Sequence, residues 1–469
     1  MQDLGKNETF NHTYNMSIHI LKDYLKENPN TRYIDAFYSD LSGIIRGKRF
    51  PINSADKIFK TGVMVPGSCF LLSAIGESFD PCGLGFTDGD PDENAITLVD
   101  TLVPMPWAQI PTAQVQLTLQ SQNGDPYYYE PRNVLKRVIK SFESLKLTPV
   151  VAFELEFYLF DLCRDDNHQL RPPTTPLSRQ RNYDTQVYSL AEIEDYALFI
   201  DEVICSCELQ NIKAGAITTE YAPGQFEINL EHLNDPLKAA DQAAMFKRLV
   251  RGVARKHAMQ ASFMSKPYLD NAGSGLHIHI SLVDEHGNNV FDGGGDYDSD
   301  NFMSDTLAEA IGGLLETLPD SMLIFAANTN AYRRYVPNIF VPTTPSWGKE
   351  NRSVAIRIPR STGAARRIEH RVAGADANPY LLLATVLAGI HYGITEKSQP
   401  GDQAYGNASN KLSAQIPFDI ESGIKKIKQS EILKDYLGKK YIDTYAECKR
   451  LEYQAFKDRK IEDESCWYL

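Results

Sequence analysis

The chain has 469 residues, 42% of them hydrophobic and 23% charged, with 48 Lys and Arg against 61 Asp and Glu. That length allows more than one domain and a large core, and the net charge of -13 argues against broad nucleic-acid or anionic-membrane binding, which needs a basic surface. The seven cysteines (Cys69, Cys82, Cys163, Cys205, Cys207, Cys448, Cys466) are odd in number, scattered and without a CxxC pair, so neither a secreted disulfide framework nor a zinc ribbon is expected.

The first residues, MQDLGKNETFNHTYN, are polar and lack a signal-peptide core. Up to about residue 30 the chain reads as a polar arm plus a short helix. RYIDAFYSDLSGIIRGKRF then reads as strand, turn, strand, with Ser42-Gly43 at the turn. SFDPCGLGFTDGDPDENA reads as a long loop; its acids lack the ordered spacing of a calcium loop. AQVQLTLQ is a strand, and Asn123-Gly124 after it is a hairpin signal. The expectation is a polar arm and small mostly-β domain over residues 1–125, and a larger α+β domain over residues 126–469.

In the second part Val134, Leu135, Val138, Ile139, Phe142 and Leu145 recur at helical spacing, and Ile193, Tyr196, Ala197, Ile200, Val203 and Ile204 mark a further helix. Another starts at Asp235, the expected N-cap, with Pro236 in the first turn. DGGGDYDSD reads as a surface loop. The longest apolar run, YLLLATVLAGIHYGI, is about 15 residues, short of the ~20 a membrane span needs. It reads as a buried helix, so no membrane partner is expected and the protein is expected to be cytoplasmic. Two more helical stretches and CWYL close the chain.

The stretch VVAFELEFYLF, Val150 to Phe160, alternates. Val151, Phe153, Leu155, Phe157 and Leu159 share one face; Glu154 and Glu156 share the other. A wet sheet face would account for two glutamates. Three further segments count against it. GLHIHISL puts His277, His279 and Ser281 opposite four aliphatic residues, RRIEHRVAG puts Arg367, Glu369 and Arg371 on one face, and TTEYAPGQFEINL supplies Glu220 and Glu227 around a Pro-Gly turn. A curved sheet would pack its convex face on helices and line a cavity with these side chains. Five carboxylates and one or two histidines suit magnesium or manganese. Arginines, with Arg352 and Arg357 added by ENRSVAIRIPR, suit phosphates and carboxylates. Together they point to nucleotide phosphoryl transfer, although the chain has neither a Walker A sequence nor a kinase glycine-rich loop.

From about residue 28 onward the chain resembles the glutamine synthetase superfamily. The blocks that carry the resemblance are YSDLSGIIRGKR, EPRNVLKR, VVAFELEFYLFD, APGQFEINL, AGSGLHIHISL, NAYRRYVP, SWGKENRSVAIRIP and RIEHRVAGADANPYL. The forms VAGADANPYL and PGQFEINL are most similar to the γ-glutamylpolyamine (γ-glutamylputrescine) synthetase branch. The resemblance implies an α+β fold: an N-terminal β-grasp domain, then a catalytic domain with a curved antiparallel sheet flanked by helices. It also implies a homo-oligomer, a dodecamer of two six-membered rings, with active sites completed by a neighbour's N-terminal domain.

By the same resemblance, Glu156, Glu220 and Glu227 would hold one Mg2+ or Mn2+, and Glu154, His277 and Glu369 a second. His279, Ser281, Arg357 and Arg367 would contact ATP. Gly273, Arg334 and Arg371 would hold glutamate. Arg352 would stabilise the transferring phosphoryl group at the ATP site and is the catalytic candidate. The implied chemistry is ATP-dependent formation of γ-glutamyl phosphate, followed by attack of an amine. Ala272 stands where the family has Asn before the glutamate-binding glycine. Phe340 and Pro66 stand where true glutamine synthetases carry the two ammonium-binding carboxylates, which makes them amine-site candidates. Three functions follow as alternatives: a glutamate–amine ligase, a glutamine synthetase using ammonia, and a catalytically silent metabolite-binding scaffold.

Overall fold

The computed structural model describes residues 16–167, 169–184, 187–299 and 301–459. Two sheets organise them. The first holds β1 (Tyr33–Ser39), β2 (Ile45–Pro51), β3 (Val63–Pro66), β4 (Asp92–Pro104) and β5 (Thr112–Gln120) in the order β2-β1-β5-β4-β3. The pair β1–β5 is parallel and the other pairs are antiparallel. A helix over residues 16–27, α1, and α2 (Ala55–Thr61) cover it. Leu21 of α1 and Ile58 and Phe59 of α2 pack with Ile34, Val115, Leu117 and Leu119, all buried. The turn between β1 and β2 carries Gly43 at φ 78°, a conformation that costs glycine least. Asp40 Oδ1 accepts from the amides of Ser42 and Ile44 and closes that turn. The acidic loop holds a single 3-10 turn at Pro81–Gly83, and its last four residues already belong to β4, which begins at Asp92. Gly124 forms a turn at φ 87°, but the chain returns through a single bridge, Gln120 to Pro126.

The second sheet holds β6 (Thr148–Asp161), β7 (Ala214–Thr219), β8 (Gln225–Leu230), β9 (Met259–Ser262), β10 (Leu276–Val283), β11 (Trp347–Lys349), β12 (Ile356–Ile358) and β13 (Ile368–His370). Its order is β11-β12-β13-β10-β6-β8-β7, with β9 also paired to β6. The helices are α3 (Pro131–Ser141), α4 (Leu190–Asp195), α5 (Ala197–Leu209), α6 (Pro236–Lys256), α7 (Asp305–Phe325), α8 (Thr329–Tyr332), α9 (Pro379–Glu396) and α10 (Ile420–Gln429), followed by a C-terminal helix, Lys439–Arg459. One continuous core joins Val151, Phe153, Leu155, Phe157 and Leu159 of β6 and Leu276, Ile278 and Ile280 of β10 to α6, α7 and α9. Burial of this face, at roughly 1.5–3 kcal/mol per large side chain, fixes which way the intervening glutamates and histidines point.

Asp235 caps α6 by accepting from the Lys238 amide at 3.0 Å, with Pro236 in its first turn. The segment expected as one helix around residue 196 is two, broken at Tyr196. The apolar run is α9, buried along most of its length, and among the described residues no helix is long and apolar enough to cross a membrane. The loop DGGGDYDSD is not simply surface: Tyr297 is buried and donates from its hydroxyl to Ile358 O at 2.7 Å. Cys466 and CWYL lie outside the described residues.

Polar bonds tie the two sheets together. Asp241 on α6 accepts from Arg132 Nε (2.8 Å) and Nη2 (2.9 Å), Gln116 Nε2 (3.1 Å) and the Tyr380 hydroxyl (2.9 Å). Asn378 Nδ2 donates to Asp40 O at 2.7 Å. Arg248 Nη2 on α6 pairs with Asp35 Oδ2 on β1 at 2.7 Å.

Candidate active site

The register places the polar alternates side by side. Glu154 on β6 stands opposite His277 on β10, and Glu156 opposite Glu227 on β8. Glu369 on β13 stands opposite His279 on one edge and Arg357 on the other. These are contiguous strands of one sheet, so the residues form a patch rather than a scatter of charges, and a wet face does not describe them. His277 and His279 are buried, and Glu154, Glu156, Glu220 and Glu227 are half-buried.

His279 Nε2 lies 2.6 Å from Glu154 Oε1, and His277 Nδ1 lies 3.3 Å from Glu154 Oε2. Arg357 Nη1 donates to Glu369 Oε2 at 2.6 Å, and Arg371 donates to the other oxygen. Arg367 Nε donates to His279 Nδ1 at 3.2 Å. Only Glu369 of that face is in the short strand β13. Arg371 lies just beyond it and is held by its amide bond to Ala355 O.

The charges sort across the sheet. Burial alone would raise the Glu369 carboxyl, but Arg371, His279 and His277 pull it down to about 2. Burial is likewise overcome at Glu154, where His279 and His277 hold the carboxyl well below the usual range. On the β7–β8 side the balance reverses. Burial and Glu156 raise Glu220 to about 8 against the pull of Arg352, and burial with four neighbouring carboxylates raises Glu227 well above its ordinary value.

Two sets of ligand atoms lie close enough to share an ion: Glu154, His277 and Glu369, and Glu156, Glu227 and His277, the atoms of each set all within 4.8 Å of one another. The donor set fits hard divalent cations. His277 belongs to both sets, and Glu220 lies outside them while remaining close enough to feel Glu156 and Arg352.

Gly273 and Arg334 are in contact, since a Cβ on Gly273 would come within 2.8 Å of Arg334 Cγ and 2.6 Å of Ser265 O. Arg334 is buried, donates from Nη1 to Val372 O at 2.8 Å, and keeps its Nε without a partner, as do Arg357 and Arg371. Three guanidinium donors buried without a protein partner around this cluster suit an anionic guest. Ser281 continues the face of His277 and His279, and Arg352 is exposed near Glu220. Phe340 is exposed and meets Tyr221, beside Glu220. Pro66 is not brought to this cluster. It lines a cavity of about 460 Å³ in the first sheet with Tyr38, Arg46, Lys48 and Cys69.

The model of the glutamine synthetase catalytic domain matches residues 128–468. The chain belongs to the glutamine synthetase family. It is 39% identical over 449 residues to the γ-glutamylputrescine synthetase PuuA of Escherichia coli (strain K12), covering 96% of this chain and 94% of that protein. It is 31% identical to a glutamate–isopropylamine ligase of Pseudomonas sp., over 92% of this chain and 93% of that one. It is also 31% identical to a glutamine synthetase of Halobacterium salinarum, covering 92% of each. Its fold matches a solved GmaS/ADP complex with a TM-score of 0.79 at 24% identity, over 93% of this chain and 96% of that chain. Enzymes of this family are ATP-dependent ligases that in general use divalent metals, and this chain is such a ligase, most like the glutamate–amine branch.

Two residues of the site escape the sequence reading. Gln225 shares its strand face with Glu227, a period-2 signal that was available, and its Nε2 donates to Gly273 O at 3.1 Å and to Glu156 Oε2 at 3.4 Å. His232 lies beyond β8 with its ring 6.0 Å from that of His279. Burial, His279 and Arg367 lower it to about 4. No local pattern marks it, because it is placed by the bridge of the next residue, Leu233, to Val151 on β6.

Proposed function

We propose that this chain joins the γ-carboxylate of glutamate to an alkylamine, a polyamine such as putrescine or spermidine being the favoured class. The γ-carboxylate attacks the terminal phosphate of ATP, giving γ-glutamyl phosphate and ADP. The amine nitrogen then attacks the acyl carbon and phosphate leaves. The observation that carries this reading is the cluster of carboxylates and imidazoles on β6, β8, β10 and β13, bordered by arginines whose buried Nε donors have no protein partner. Glu156, Glu220 and Glu227 hold one Mg2+ or Mn2+, and Glu154, His277 and Glu369 the other. Cations held there offset the charge that repels a carboxylate from a triphosphate.

His279, Ser281, Arg357 and Arg367 bind ATP, and Arg352 steadies the phosphoryl group in transfer. Gly273, Arg334 and Arg371 hold glutamate. The division between the domains falls near residue 125, between β5 and α3. The enzyme works as a ring oligomer, two hexamers forming a dodecamer, in the cytoplasm. Pro66 then reaches the amine site from a neighbouring copy, which accords with its place among Tyr38, Arg46 and Lys48 of the first sheet.

Ammonium is a small cation suited to carboxylates, and Pro66 and Phe340 offer it none. Burying each methylene of an amine contributes roughly 0.8 kcal/mol, so a four-carbon spacer gives about 3 kcal/mol, on the order of a hundredfold over ammonia. Relatives whose names specify putrescine and isopropylamine support that preference. The test is ADP release and the mass of the product, with glutamate, ATP and a panel of ammonia, methylamine, putrescine and spermidine. A kcat/KM that is highest for ammonia makes the enzyme a glutamine synthetase, and no turnover with any amine makes it a scaffold.

A further inference from the structure

We infer that Tyr221 and Phe340 form an aromatic clamp that measures the alkyl chain of the amine, so that the enzyme selects primary amines by length. The inference rests on the proposed amine-ligase function and assigns the specificity of that same site. Tyr221 is 47% exposed and Phe340 55% exposed. Their ring centroids lie 6.0 Å apart, with planes 37° apart. Two aromatic rings left this open, yet touching each other, are an unfilled apolar surface. Tyr221 directly follows Glu220, whose carboxyl interacts with Glu156, Arg352 and Arg371, so the clamp stands at the border of the polar cluster.

Both rings are carried on braced backbone. The Asn338 amide donates to Ser409 O, and the hydroxyl of the buried Ser409 donates to Ile339 O at 2.8 Å, so the residues leading into Phe340 are pinned. Glu220 N donates to Gln225 O and Gln225 N to Ala222 O, which closes the turn that carries Tyr221. Val336 and Ile339, on the segment that leads into Phe340, are exposed as well. A hydrocarbon chain running out from the reacting nitrogen is the guest such a surface accepts without leaving a polar group unpaired. The tyrosine hydroxyl is not required for that contact.

The discriminating measurement is the dependence of kcat/KM on chain length, using methylamine, propylamine, butylamine and hexylamine with saturating ATP and glutamate. In the unmodified enzyme kcat/KM is expected to rise about three- to fourfold per added methylene until the clamp is filled. Tyr221→Ala and Phe340→Ala are each expected to cut the hexylamine-to-methylamine ratio at least tenfold, while Tyr221→Phe keeps it. Because the ratio is taken within one variant, partial misfolding cancels from it. A ratio unchanged in both alanine variants overturns the clamp. If the unmodified enzyme turns over ammonia and no alkylamine, the amine-ligase reading itself fails, and the clamp with it.

Discussion

Two carboxylates of the same site are expected to respond in opposite ways to loss of their charge. Glu369 is 1% exposed and neutralises two guanidiniums, Arg357 at 2.6 Å and Arg371. Glu369→Gln leaves the Arg371 guanidinium without its charged partner and Arg357 with Glu350 alone, at 3.3 Å, and breaking a buried pair in this way typically costs about 3–5 kcal/mol. The carboxyl's own titration agrees. Lowered from 4.5 to about 2, it contributes about 3 kcal/mol that is fully present above pH 4.5 and lost as pH falls through 2. Glu220 is the reverse case. Raised from 4.5 to about 8 by burial and by Glu156, it favours the folded state below pH 4.5 relative to neutral pH, and the metal-free protein loses stability as pH rises from 4.5 to 8. At pH 7 the cost is about 2–3 kcal/mol after allowance for its partial exposure, so Glu220→Gln should stabilise the metal-free protein.

The assay is thermal or urea unfolding of the unmodified protein and both variants, stripped with chelator, at one protomer concentration. Mg2+ is then added at pH 6 and pH 8. Expected is a lowered midpoint for Glu369→Gln and a raised one for Glu220→Gln without metal. The unmodified protein should gain more from Mg2+ at pH 8 than at pH 6, because cations displace the protons the carboxylates hold. Glu220→Gln should gain less than the unmodified protein. Midpoints that move the same way in both variants, or a Mg2+ gain indifferent to pH, would refute the assignment of charge across the sheet.

Glu154→Gln and Glu156→Gln should each reduce ADP release at least a hundredfold while leaving far-UV circular dichroism unchanged, because the apolar face of β6 is untouched; near-normal turnover in both would restore the wet-face explanation. Asp241→Ala strands the Arg132 guanidinium and unties Gln116 and Tyr380, so it should cost about 3–5 kcal/mol in unfolding experiments, with Asp241→Asn losing less. Lys247 donates to Ala375 O at 2.6 Å and Ala377 O at 3.0 Å, beneath the segment bonded to Ser274. Lys247→Met should therefore raise KM for glutamate more than KM for ATP, a split that titrations of each substrate would reveal.

The face assignment of β6, β8 and β10 was legible because a strand's side chains alternate strictly and one face here is continuously apolar. A one-residue slip would have buried Glu154 and Glu156 in the core formed by Phe153 and Phe157. The arginine edge was harder to read. The strands β11, β12 and β13 have three residues each, too short for a period to declare itself, and Arg371 gains its place from a bond to Ala355 outside the strand. The pairing of β1 with β5 is parallel and spans residues 33 to 116, a non-local contact that no local pattern encodes. Tyr297 was hidden for the same reason: its glycine-rich surroundings read as loop, and its burial comes largely from distant partners, Ile358 and the side chains of Lys349, Arg360 and Arg366.

The sheet order also explains why the site is polarised. Arg357 and Arg371 enter from β12 and from the chain just beyond β13, at one side of β6, whereas Glu227 and Glu220 enter from β8 and the turn after β7, at the other. Glu154, Glu156 and His277 lie between. Glu369 beside the guanidiniums and Glu154 beside the two histidines are held in the ionised form, whereas burial and like charge make Glu220 and Glu227 hold their protons to higher pH, so the metal-free site limits its own net charge without giving up a ligand. Under the proposed function, a triphosphate would be drawn to the guanidinium side, and cations would displace protons on the carboxylate side. His277, shared by both ligand sets, would keep the two guests within one bond network. A substitution that swaps the polarity locally, Arg371→Met, removes the largest charge holding Glu369 down. It should raise that carboxyl toward the ordinary range and weaken Mg2+ stabilisation at pH 4.5 more than at pH 8. Equal losses at both pH values would mean that Arg371 acts on the substrate alone and leaves the metal ligands unaffected.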